Sequence, residues 1–291
     1  MAKAALIALP LIAIIGVGIS YFYSPLHTFN ALVPKDSGSR LVVEGVAYGE
    51  NSRQKLDIYA PHDDDNGPRP VIVWFYGGSW NSGSRDGYAF AGRALAARGF
   101  VTVVADYRIL PEVRFPGFVE DGAQAVRWVR ANISEYGGDS EQIVLAGHSA
   151  GAYIAAMLAN DPQWLGEDRA AVAGLIGLAG PYDFYPFDTP STVAAFGDWR
   201  EPEATQPVTF ADETAPPALL LTGEDDTTVK PRNSEALAAR LKEAGVEAEL
   251  VRYADVDHID IVIALSRPLR GKAPVLDDMA DFARRETTAG Q

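Results

Sequence analysis

The sequence predicts an α/β fold: a mostly parallel central sheet with helices on both faces. Three observations predict it. Short, near-continuous apolar runs recur along the chain, as strands buried on both faces require. Stretches with apolar residues at helical spacing separate them, so strand and helix alternate, and neighbouring strands pair in parallel through right-handed crossovers. The chain has 291 residues, 47% hydrophobic and 22% charged, enough for one large α/β domain or two small ones.

The first element stands apart. Residues 4–23 carry no charge and, as a helix, would span roughly 30 Å, the thickness of a bilayer core. Lys3 precedes the run, and Tyr21, Phe22 and Tyr23 close it as an interfacial aromatic belt would. A signal peptide would want a shorter apolar core and an Ala-x-Ala-like exit, of which Gly18-Ile19-Ser20 is a weak version. A buried core helix would show a polar face, and this run has none. The expectation is a membrane anchor over residues 1–25, with the domain at 26–291 on the non-cytoplasmic side because positive charge precedes the run. Lys35 and Arg40 follow closely and weaken that orientation. The alternative is a secreted or periplasmic protein after signal cleavage.

The remaining elements follow in order. Residues 41–48 and 55–60 have strand periodicity and form an early hairpin. Asp63-Asp64-Asp65-Asn66-Gly67-Pro68 reads as a solvated turn rather than a metal-binding cluster. Residues 71–77 and 101–106 are buried strands, with a helix over 84–98 between them. A helix over 117–135 leads to a strand at 142–147 and a small-residue helix at 150–160. Further strands are expected at 172–180, 218–223 and 248–253, with helices at 232–244 and 274–286. Ligands in such sheets bind at the carboxyl ends of the strands, so the unusual residues after the apolar runs are the ones to read for chemistry.

Composition excludes several functions first. Lys and Arg number 25 against 39 Asp and Glu, a net charge of −14, which repels phosphate backbones and argues against nucleic-acid binding. There is no cysteine, so disulfides, a thiolate nucleophile and thiolate metal sites are ruled out. No phosphate loop, dinucleotide fingerprint or dense His/Asp cluster is present, so no cofactor and no metal is implied.

After the strand at 142–147 comes Gly147-His148-Ser149-Ala150-Gly151, then a helix. This is a G-x-S-x-G turn in the strand-to-helix context the motif requires. It lifts the Ser149 hydroxyl above the sheet, at the positive end of the following helix. A serine nucleophile needs a base. Of four histidines, His27 lies beside the apolar segment, His62 in the acidic turn, and His148 next to the nucleophile, where it should pack elsewhere. His258, after the last strand, remains. A carboxylate must then orient the imidazole. Glu224, Asp225 and Asp226 compete in one loop after the strand at 218–223, with Asp226 preferred and Asp225 next. Asp255 and Asp257 are too close to His258 in sequence and read as solvated groups or local caps. Gly77-Gly78-Ser79-Trp80 ends an early strand. It offers the amides of Gly78 and Ser79, joined by that of Ala150, to a developing oxyanion. Gly77 gives room, and Trp80 packs under the loop.

Together these residues resemble the α/β-hydrolase superfamily, within its carboxylesterase group of hormone-sensitive-lipase-like and kynurenine-formamidase-like enzymes. The resemblance covers about residues 40–285. It rests on Leu56-Asp57-Ile58-Tyr59, residues 76–80, Asp106-Tyr107-Arg108, residues 147–151, residues 223–229 and Asp257-His258. It implies a Ser149/Asp226/His258 triad and a metal-independent ester hydrolase. In that group the oxyanion loop usually reads His-Gly-Gly. Tyr76 stands here where that His would be, which leaves the glycines intact and changes only how the loop is braced. Asp106-Tyr107-Arg108 and Glu120-Asp121 are expected to hold loops beneath the site. Residues 181–216 correspond to a short, loop-rich, lid-like insertion. Its aromatics, from Tyr182 to Phe210, either wall an apolar acyl or aryl pocket or cap the core.

The expected activity is that of a serine carboxylesterase acting on small-molecule esters of short to medium chain. An arylformamidase-type amidase and a catalytically inactive membrane-tethered binding module are the alternatives.

Overall fold

The computed structural model describes residues 25–63 and 67–288. Eight strands form one sheet: β1 Ser39–Ala47, β2 Lys55–Pro61, β3 Arg69–Phe75, β4 Val101–Ala105, β5 Gly138–His148, β6 Val172–Leu178, β7 Ala218–Gly223 and β8 Ala248–Tyr253. Their order is β1-β2-β4-β3-β5-β6-β7-β8. The pairs β1/β2 and β2/β4 are antiparallel, and all the others are parallel. The early hairpin is thus the antiparallel edge of an otherwise parallel sheet. Register shifts in β1 bend that edge strand.

The apolar runs form strands because both faces of the sheet are covered. Val71 through Phe75 of β3 and Ile143 through Ala146 of β5 are completely buried at the centre of the sheet. The helices that cover them include α1 Pro25–Leu32, α2 Ala89–Ala96, α3 Gly117–Asn132 and α4 Ala150–Asn160. Later come α5 Pro162–Leu165, α6 Pro190–Phe196, α7 Arg232–Glu243, α8 Asp260–Ile263 and α9 Val275–Thr288. In α3 the residues Phe118, Val119, Ala125, Val126 and Val129 are buried, an apolar stripe at helical spacing.

Local departures from the expected elements have visible causes. The helix expected over 84–98 opens with a 3₁₀ turn, Arg85–Tyr88, before α2. Arg85 there is drawn to Asp57 at 2.7 Å and to Asp106 at 2.6 Å. The helix expected to run to 135 ends at Asn132 and continues as a 3₁₀ turn, Ile133–Tyr136. Gly137 closes that turn with φ 81°, a left-handed conformation that glycine adopts without strain.

The membrane expectation is corrected. Among the described residues no helix is long and apolar enough to cross a membrane, so an anchored, non-cytoplasmic placement is not retained. Residues 4–23, on which that expectation rested, lie outside the described residues, as do Asp64, Asp65 and Asn66 of the acidic turn.

The helix α1 is tied down onto the domain. The Asn30 amide donates to the Asp86 carbonyl at 2.6 Å and its Oδ1 accepts from the Phe90 amide at 3.0 Å. The Phe29 ring meets Phe90 edge-on at 5.2 Å. These contacts bring the start of α1 over the carboxyl ends of the strands.

Candidate active site

The turn between β5 and α4 carries Ser149 at φ 54°, ψ −123°. A non-glycine residue seldom occupies that region, which costs about 1–3 kcal/mol and persists only where the surroundings fix it. The Ser149 amide donates to Leu178 O at 2.9 Å, tying the turn to the end of β6. A Cβ on Gly151 would run into the main-chain carbonyl of Phe75, so only glycine lets α4 start this close to β3.

Ser149 Oγ lies 2.9 Å from His258 Nε2, and His258 Nδ1 lies 2.7 Å from Asp226 Oδ2. Asp226 follows β7 and its side chain is fully buried. Its other oxygen accepts from the amides of Thr228 at 2.9 Å and Val229 at 2.8 Å. A buried carboxylate needs such partners, and these two aim the free oxygen at the imidazole. The competing acids lie elsewhere. Glu224 and Asp225 are exposed, and Asp257 Oδ1 accepts from the Ile259 and Asp260 amides at 2.8 Å each. That makes Asp257 a local cap at the start of α8.

His148 is buried beneath this line. Its ring lies 4.8 Å from that of His258, and its Nε2 lies 2.8 Å from the His258 carbonyl oxygen. Burial, reinforced by the neighbouring His258, lowers its pKa from the usual 6.5 to about 3. The ring is therefore neutral at physiological pH, and the tautomer that fits carries its proton on Nε2 and donates to that carbonyl.

The loop after β3 turns sharply. Gly78, Ser79 and Trp80 all have positive φ, at 141°, 51° and 58°. A Cβ on Gly78 would overlap the carbonyl of Ser82. Ser79 and Trp80 are thus consecutive non-glycine residues at positive φ, a strained turn beside Ser149. Tyr76 braces the loop from below. Its hydroxyl donates to Asp106 at 2.8 Å and accepts from Arg53 at 2.9 Å, while Tyr107 donates to the Tyr76 carbonyl at 2.7 Å. Burial, with Asp106 next, holds the Tyr76 hydroxyl far above its ordinary pKa, so it stays a neutral donor. Arg108 clamps Asp121 through several short hydrogen bonds, whereas Glu120 is exposed. Trp80 packs as expected against Phe118 and Phe184 and edge-on to Phe196, yet it also borders a cavity.

Two cavities meet at Ser149. One, of about 310 Å³, runs between the Gly77–Ser79 loop and His258 and is walled by Leu26, His27, Tyr88 and Ile259. The other, of about 360 Å³, lies beyond Ala150 and is walled by Trp80, Phe184, Thr192, Val229, Lys230 and Arg232. Residues 181–216 contribute to the second but do not make it apolar. Tyr182 and Phe196 are buried in the core, and Phe184 is the aromatic of that segment that reaches the cavity. The stretch both caps the core and supplies one wall.

The BD-FAE family model matches residues 56–241, well over half of the chain. The chain belongs to the BD-FAE family. The BD-FAE match takes in the loop from Tyr76, the elbow at Ser149 and Asp226, while His258 and α1 fall outside it. Esterase LipC of Mycobacterium tuberculosis is 34% identical over 68% of this chain and 54% of its own length. Isoprenylcysteine alpha-carbonyl methylesterase of Arabidopsis thaliana is 30% identical over 87% of this chain and 64% of its own. The chain thus spans between about half and two thirds of these curated relatives. Among solved structures, the butyrate-bound esterase of Thermogutta terrifontis superposes with a TM-score of 0.70 at 26% identity, covering 86% of this chain and 94% of that one. An inhibited esterase B of Lactobacillus rhamnosis superposes with a TM-score of 0.81 at 16% identity, over 97% of this chain and 96% of that one, which shows the shared α/β-hydrolase fold.

Sequence reasoning did not find Leu26 and His27 as site residues. His27 Nε2 lies 2.8 Å from Ser84 Oγ, a contact across 57 residues that no local pattern announces. Nor did it find the hydrogen bond from His148 to the His258 carbonyl, or Lys230 and Arg232 on the second cavity.

Proposed function

We propose that this chain is a serine carboxylic ester hydrolase, cleaving short- to medium-chain esters through an acyl-enzyme. The observation that carries the reading is the unbroken hydrogen-bonded line from Ser149 Oγ through the His258 imidazole to the buried Asp226 carboxylate. His258 accepts the Ser149 proton as Oγ attacks the ester carbonyl, and Asp226 holds the imidazole tautomer and stabilises the imidazolium. The amides of Gly78, Ser79 and Ala150 hold the oxyanion. Collapse breaks the bond to the alkoxy oxygen, His258 returns its proton to the leaving alcohol, and Ser149 keeps the acyl group. Water then attacks with His258 as base, releasing the carboxylic acid and restoring the serine. Relatives named as esterases, and a neighbour solved with butyrate, support the same chemistry.

The test is hydrolysis of a p-nitrophenyl ester series from acetate to palmitate by the whole chain and its Ser149→Ala variant. Hydrolysis of the short esters by the parent alone is the expected result. Equal rates from both proteins would overturn the proposal.

A further inference from the structure

The two cavities that meet at Ser149 differ in chemistry, and the reaction geometry assigns each a role. Once Ser149 Oγ bonds the carbonyl carbon, three substituents remain to be placed. The oxyanion faces the backbone amides. The leaving oxygen must lie within reach of His258 Nε2, which protonates it. The cavity containing His258 therefore takes the alcohol, and its Leu26, Tyr88 and Ile259 walls suit an apolar one. The acyl chain takes the remaining direction, into the cavity that touches Ser149 and Ala150 without His258.

That acyl-side cavity is not the apolar trough its aromatic segment suggested. Trp80, Phe184 and Val229 line it, but so do Lys230 and Arg232, with Asp188 as its carboxylate. Two cations face one anion, in a chain whose net charge is −14. Neither Lys230 nor Arg232 makes an ion pair with a described residue. Their backbone is nonetheless fixed. Asp226 holds Thr228 and Val229, and the buried Asn233 donates to the Lys230 carbonyl from its amide at 3.0 Å and from Nδ2 at 3.3 Å. The backbone that carries both residues is thus held at one wall of a cavity that opens on Ser149, and their exposed side chains place positive charge at its mouth, where salt screens it.

From this, and resting on the esterase reading, we infer that the acyl-side cavity selects esters whose acyl group carries a terminal carboxylate, such as monoesters of short dicarboxylic acids. The apolar walls accept the methylenes, and Lys230 and Arg232 receive the free carboxylate.

The test compares three benzyl esters of matched acyl length: benzyl valerate, benzyl hydrogen glutarate and benzyl 4-aminobutyrate. Benzyl alcohol release is followed for the whole chain, its Lys230→Glu variant and its Lys230→Ala/Arg232→Ala variant. The glutarate should exceed the valerate in kcat/KM by about fivefold, mainly through KM, and the amine should be the poorest. Both variants should lower the glutarate-to-valerate ratio, and added salt should shrink it in the parent. A glutarate no better than valerate overturns the inference, and so does a ratio that the variants leave unchanged. Preference for the amine overturns it too, by making Asp188 dominant. Turnover of p-nitrophenyl esters with none of the benzyl esters cleaved would also sink it. If neither set shows Ser149-dependent turnover, the esterase reading fails and this inference fails with it.

Discussion

His148 and His258 lie side by side with ring centroids 4.8 Å apart and planes tilted by 41°, and the neutral His148 ring donates to the His258 main-chain carbonyl at 2.8 Å. His148 thus holds the backbone of His258. Its burial also has a consequence for acid stability. Folded, His148 titrates at about 3; unfolded, it titrates near the usual 6.5. Between those values the unfolded chain binds a proton that the folded chain does not. The contribution is complete above pH 6.5 and is lost progressively as pH falls toward 3. Urea unfolding midpoints measured from pH 7 down to pH 4 should therefore fall, and His148→Gln should flatten that slope. An identical slope in the variant would remove His148 as the cause.

Ser149→Ala should lower kcat by about 10⁴ or more, with a melting temperature equal to or above that of the parent. The second expectation follows from the φ of 54° at Ser149, since the turn is imposed by its neighbours and the hydroxyl adds little to it. Activity and thermal denaturation on one preparation check both.

Asp226→Asn should lower kcat by about three to four orders of magnitude. The amide presents a donor or an acceptor to His258 Nδ1 but no negative charge to an imidazolium. Its oxygen can still accept from the Thr228 and Val229 amides, so folding should survive. Circular dichroism beside the rate measurement separates a lost charge from a lost loop.

Tyr76→Phe removes a hydroxyl that serves both Asp106 and Arg53. Asp106 keeps the Arg85 amide and guanidinium as partners, so the loss should be about 1–3 kcal/mol rather than collapse. Denaturant midpoints measure it. Because the same loop leads to Gly78 and Ser79, kcat should fall with little change in KM.

How much of this was legible in the sequence depended on how local each cause is. Strands β3 and β5 read correctly because burial on both faces leaves an unbroken apolar run. The elbow read correctly because its glycines and its strand-to-helix setting lie within a few residues. Among the acids after β7 the sequence favours Asp226 over Asp225 and Glu224, but it does not show the backbone amides of Thr228 and Val229 that aim the Asp226 carboxylate at His258. His148 could be marked as buried, but its acceptor is a carbonyl 110 residues away, and no pattern points to it. The aromatic segment left two readings open for a different reason. Composition counts rings without saying which face they take, and Tyr182 and Phe196 turn inward while Lys230 and Arg232, from another loop, complete the wall. The apolar length of residues 4–23 was read as a span, and that reading is the one not retained.

The position of α1 bears on how the protein is handled at the bench. Leu26 and His27 line the cavity that contains His258, so a tag or fusion partner joined directly ahead of Pro25 would start close to it. Trimming into α1 would remove part of that cavity's wall. Variants trimmed at Leu26 and His27 should therefore differ from the parent in their preference among esters of one acid with different alcohols.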